Sequence, residues 1–196
     1  MFNAHAETPA ARLDQLLQSI HTLRADFTQT VMDNRGRSIS KSHGVFSLQR
    51  PGKLRWEITH PDAELIIANQ DKIFIYEPDL QQLTIKKLNL NIGEAPALLF
   101  TRADITSSKN FDVQFDQHKI PGQEWFLLIP KDHSGFFSSI HLGFVKNTLL
   151  AMQLRDSLDQ VTTVEFSHVK TNPALSLSIF NIKVPPKTDV IHETEK

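Results

Sequence analysis

Nine histidines, at positions 5, 21, 43, 60, 118, 133, 141, 168 and 192, are the residues best suited to hold a metal or move a proton. No two stand two or four apart, so none forms the short clip a strand or helix offers a metal ion. The carboxylates Glu57, Glu64, Glu77 and Asp79 could meet in space, but they fall at strand edges and turns, where acids are solvated. Ser134 lies in Asp132-His133-Ser134-Gly135, which reads as a turn rather than a nucleophile elbow. The chain has no cysteine, no phosphate-cradling glycine loop and no H-E-x-x-H pair. Neither catalysis, nor a metal, nor a cofactor is expected.

The composition points to a different task. The 196 residues carry 21 Lys and Arg against 22 Asp and Glu, a net charge of −1. Nucleic-acid binding needs a basic footprint, which this balance does not give. No apolar run approaches the ~18 residues of a membrane-spanning helix. Phenylalanine is abundant at 13, tyrosine occurs once and glycine only 7 times. Aromatic rings without polar handles suit a dry interior.

Elements that could build that interior follow from hydrophobic period. Thr8 and Pro9 open a helix with an apolar stripe of Leu13, Leu16, Leu17, Ile20 and Leu23. The period then changes to two. Extended segments are expected over 25–31, 38–50, 54–59, 64–68, 72–77 and 81–88, in series with short turns, and they read as an antiparallel meander. An apolar helical stretch follows over 95–102. Strands resume over 111–117, 125–130, 138–145, 149–155 and 161–169, with a second short helix near 173–177. The expected fold is mainly β with a few helices (α+β), with about eleven strands. Such a sheet must bury one face, either by curling into a barrel or by half-curling beneath helices that cover the open side. Ala4-His5-Ala6 fits the small-residue pattern before a signal-peptidase cut. Residues 1–7 are therefore expected to be a tail left after signal removal, and 8–196 one domain.

The residue series then becomes specific. Phe27-Thr28-Gln29 is followed by Arg50-Pro51-Gly52-Lys53-Leu54-Arg55-Trp56, then Tyr76-Glu77-Pro78-Asp79-Leu80-Gln81-Gln82, and finally Phe180-Asn181-Ile182-Lys183-Val184-Pro185. In order and spacing this resembles the outer-membrane lipoprotein carrier family, over about residues 13–190. Two departures are Asn69-Gln70-Asp71-Lys72, where the family usually has a glycine, and Phe74, where tryptophan is common. The resemblance implies an unclosed antiparallel β-barrel covered by a helical lid. It further implies a monomeric periplasmic chaperone that takes acylated lipoproteins from an ATP-driven inner-membrane transporter and delivers them to an outer-membrane receptor. That receptor shares the fold but carries an N-terminal cysteine. The alternative is a lipoprotein-sensing or small apolar-ligand domain of the same fold.

Under this resemblance Phe27, Leu54, Trp56, Ile58, Ile66, Phe74 and Tyr76 are expected to line an acyl-binding cavity. Leu13, Leu16, Leu17, Leu98, Leu99 and Phe100 are expected to form the lid. The family's arginine matching Arg50 is implicated in holding the lid by its carbonyls. A guanidinium has five donors in a fixed fork and can latch several carbonyls at once. Arg55 reads as an outward strand residue.

Overall fold

The computed structural model describes residues 7–69, 71–88, 96–101, 110–116, 120–131 and 137–193. Thr8 caps α1 (Pro9–Gln18), its hydroxyl accepting from the Ala11 N–H at 3.2 Å. The helix stops sooner than its apolar stripe suggests. The Ser19 hydroxyl donates to the Leu16 carbonyl at 2.7 Å. Leu23 already belongs to a strand, because the chain changes period from helical to alternating within three residues of the cap.

Twelve strands follow: β1 (Thr22–Met32), β2 (Ser38–Gln49), β3 (Lys53–His60), β4 (Glu64–Asn69), β5 (Lys72–Glu77), β6 (Gln82–Lys87), β7 (Phe111–Phe115), β8 (Gln123–Pro130), β9 (Phe137–Val145), β10 (Thr148–Asp156), β11 (Val161–Thr171) and β12 (Asp189–His192). They form one sheet in the order β12-β6-β5-β4-β3-β2-β1-β11-β10-β9-β8-β7. The expected antiparallel meander runs through β1–β6. β1–β6 and β7–β11 are two wings, joined where β1 pairs antiparallel with β11. β12 is the strand beyond the expected eleven, and it adds parallel to β6. Both sheet edges, β12 and β7, stay unjoined, so the barrel does not close.

Glycine permits the curl at two crossings. Gly44 pairs with Phe27, and a Cβ there would lie 2.6 Å from that ring's Cζ. Gly143 pairs with Trp125, and a Cβ would lie 2.6 Å from its Cζ2. Each ring packs over the bare backbone opposite, one on the inner face and one on the outer.

The inner face holds the core. Aligned rows such as Ala25-Phe46-Trp56-Ile66 and Leu23-Leu48-Leu54-Ala68 cross the first wing. Phe126, Leu128, Ile140, Leu142, Met152 and Leu154 continue the same buried cluster on the second. Chain order dictates what covers it. From β6 beside one edge the chain must reach β7 at the other, and the described part of that connection includes a 3₁₀ segment, Pro96–Thr101, within the helical stretch expected over 95–102.

The outer face of the first wing has its own cover. A further 3₁₀ segment is Leu177–Phe180, later than the helix expected near 173–177. It packs against β3 and β4, and Phe180 is buried. The Arg55 Nη1 donates to the Ile179 carbonyl at 3.2 Å, as suits an outward residue. This strap then ends in β12.

Candidate functional site: an apolar interior beneath a two-part cover

Cross-strand register decides which side chains share the interior, because directly paired residues point to one face of a sheet. Trp56 pairs with Phe46 and Ile66, Leu54 with Leu48 and Ala68, and Phe27 with Gly44 and Phe166. Phe27, Leu54, Trp56 and Ile66 are all buried there, and Ile58 packs at the margin of the same cluster. Phe74 and Tyr76 do not join them. Phe74 pairs with Ile67 and Tyr76 with Leu65, the opposite parity to Ile66. The expectation that both line the cavity is corrected: they lie on the outer face. Ile73 and Ile75 take the inward positions of β5.

Aromatic rings dominate the centre. Phe27 stacks on Trp56 with centroids 3.7 Å apart and planes 20° from parallel. Phe46 touches Trp56, Phe100 and Phe166 at 5.8, 6.1 and 5.6 Å. The sequence reading missed Phe46 and Phe166. Both stand in alternating strands, but Val45 beside Phe46 gives β2 apolar residues at both parities and blurs its inner face.

The cover comes from two elements held to opposite wings. Leu13, Leu16 and Leu17 of α1, with Leu98, Leu99 and Phe100 of the 3₁₀ segment, belong to the same buried cluster. The 3₁₀ segment packs on β3 of the first wing. The helix packs on β7 and is tied to the second wing by Arg12, whose Nε and Nη2 donate to the two Glu124 carboxylate oxygens at 2.9 and 2.8 Å. Nη2 also donates to the Asn147 side-chain carbonyl at 2.8 Å. Hydrogen bonding raises the Arg12 pKa and holds the Glu124 carboxyl below the usual carboxylate range. Asn172, just after β11, clamps the α1–β1 link: its side-chain oxygen accepts from the His21 and Thr22 N–H groups at 2.8 and 3.2 Å.

Arg50 occupies the turn between β2 and β3, its backbone N–H donating to the His21 carbonyl at 2.9 Å. That bond places it beside the exit of α1. Its Nε and Nη2 are buried and have no acceptor among the described residues. Burial pushes the guanidinium below its usual pKa, opposed by the negative charge of Asp14 on α1.

At the far end of the half-barrel a pocket of about 710 Å³ opens between Gln29, Ser42, Ile58 and the loop at Pro61. Glu64, Glu77 and Asp79 share its rim, whereas Glu57 faces outward beside Arg55. His5, His118, His133 and Ser134 lie outside the described residues.

The arrangement has a counterpart in known sequences. The family model described as outer membrane lipoprotein carrier protein LolA matches residues 18–183. The chain belongs to this family. The lipoprotein carrier protein of Methylococcus capsulatus is 37% identical over 193 residues, covering 98% of this chain and 92% of that one. The carrier protein of Dechloromonas aromatica is 38% identical over 187 residues, covering 94% and 89%. An uncharacterised conserved protein from Thermus thermophilus shares the fold at a TM-score of 0.60 and 10% identity, covering 93% of this chain and 99% of that one. The unclosed sheet and its helical cover agree with the architecture that the resemblance implied.

Proposed function

We propose that this protein is a periplasmic chaperone that sequesters the acyl chains of lipoproteins and carries them between membranes, with no catalytic step. The observation that carries the reading is the aromatic inner face of an unclosed sheet, shut by a cover that is not part of the sheet. A closed barrel would fix its volume, whereas an open sheet can admit chains by moving the cover. Phe27, Leu54, Trp56, Ile58 and Ile66 form the wall that acyl chains meet, with Leu13, Leu16, Leu17, Leu98, Leu99 and Phe100 displaced as the cover lifts. Cargo comes from an ATP-driven inner-membrane transporter and leaves to an outer-membrane receptor.

Arg50 acts as the latch. It stands beside the exit of α1, and its fork presents donors with no acceptor among the described residues. Closing those donors on cover carbonyls holds the shut state, and incoming acyl chains break the bonds.

The experiment is displacement of an environment-sensitive apolar dye from the purified protein. Acylated lipoprotein should displace it, and the same lipoprotein stripped of its acyl chains should not. Equal displacement by both forms would mean that a polypeptide surface, rather than an acyl chain, is recognised.

A further inference from the structure

We propose that the interior also binds free long-chain carboxylates, with the headgroup held on the Nε–Nη2 edge of Arg50. The proposal rests on the reading of the interior as an acyl site and adds a second ligand class, one with a charge.

Arg50 is a half-buried cation with an unused face. Its Nε and Nη2 are shut from solvent without an acceptor among the described residues. A guanidinium stays protonated when buried. Buried charged donors without an acceptor are unfavourable, and the remedy is an anion brought to them. The two free atoms form one edge of the fork, with parallel N–H directions that match the two oxygens of a carboxylate.

The same edge binds carboxylates elsewhere in the molecule, at Arg12 and Arg55 among others. Arg12 holds Glu124 through Nε and Nη2, and Arg55 places the same two atoms on one Glu57 oxygen at 3.1 and 2.9 Å. In Arg50 the same edge is empty and turned away from water. Leu48 and Leu54 flank its turn on the inner face, and both are buried in the core cluster. A carboxylate on Arg50 therefore has its alkyl chain beginning among apolar side chains.

Lipoprotein acyl chains are ester- or amide-linked and bring neutral carbonyls only, so Arg50 separates free acids from esterified ones. The donors are also those proposed for the latch, so a bound free acid competes with closure.

The test measures binding of dodecanoate, methyl dodecanoate and dodecanol to the full chain at neutral pH, below their aggregation concentrations, by dye displacement. Arg50→Leu should weaken dodecanoate by about tenfold or more, the loss of charge-assisted hydrogen bonds. The ester and alcohol should bind within about twofold of wild type, or more tightly, because the added side chain is apolar. Arg50→Lys should be intermediate, and Asp14→Asn should tighten dodecanoate alone by removing a charge that competes for Arg50. If Arg50→Leu leaves dodecanoate unchanged, or weakens acid and ester equally, the carboxylate site is wrong. If neither dye nor ester binds wild type, the acyl-cavity reading falls and takes this site with it.

Discussion

Arg50 carries more of the proposed mechanism than any other residue, because its backbone N–H ties a turn of the sheet to the exit of the covering helix while its side chain holds buried donors beside it. Its charge matters less than its shape. A planar fork can hold several carbonyls together, and a lysine ammonium cannot. Arg50→Leu should therefore keep cargo uptake, since an apolar side chain only enlarges the surface offered to acyl chains. It should fail in delivery, because the latch no longer contributes the bonds, each worth ~1.5–3 kcal/mol at most, that drive the shut state. A two-step assay reads this: release of lipoprotein from inner-membrane vesicles, then transfer to the receptor. Arg50→Lys should deliver at an intermediate rate. Wild-type delivery by Arg50→Leu would reduce Arg50 to a turn residue.

At the scale of elements, the link most open to measurement is the pair that holds α1 to β8. Arg12 keeps the Glu124 carboxyl below its ordinary value, so the pair contributes fully above the unfolded glutamate pKa of about 4.3. That contribution disappears as pH falls through the lowered folded value. With side chains 24% and 43% exposed, it amounts to about 1 kcal/mol or less. The difference in unfolding free energy between wild type and Glu124→Gln should accordingly be measurable at pH 6 and shrink progressively as pH falls below about 4.3. A difference constant with pH would show that the pair does not anchor the helix electrostatically. Alternation made most of the strands legible in the sequence, and the cap at Thr8 made the helix legible. It could not assign the face of β5, because Ile73, Phe74, Ile75 and Tyr76 are apolar at both parities. Only pairing with β4 shows that Phe74 and Tyr76 turn outward. The segment ending in Phe180 packs on the outer face of the neighbouring β3 and β4, a long-range contact that no local pattern announces. The parallel strand β12 escaped for the same reason: four exposed residues gain their conformation from β6 alone.

For the molecule as a whole, the described interior is closely packed around Trp56. Trp56 is 1% exposed and lies flat against Phe27, so acyl chains cannot enter without parting rings that now touch. Three acyl chains contain on the order of 40 methylenes, each worth ~0.8 kcal/mol when taken out of water. Even a modest share of that exceeds the cost of separating a few aromatic contacts at ~0.5–1.5 kcal/mol each. Loading should therefore replace ring–ring contacts by ring–chain contacts, and the two tryptophans are placed to report it. Trp56 is inside, whereas Trp125 packs over Gly143 on the outer face and donates its Nε1–H to the Gln123 side chain at 2.7 Å. In a Trp125→Phe variant, acylated lipoprotein should shift the emission of Trp56, and deacylated lipoprotein should leave it unchanged. In a Trp56→Phe variant, the remaining Trp125 should stay silent with both. A signal that follows Trp125 instead would place cargo on the outer face and overturn the interior as the acyl site.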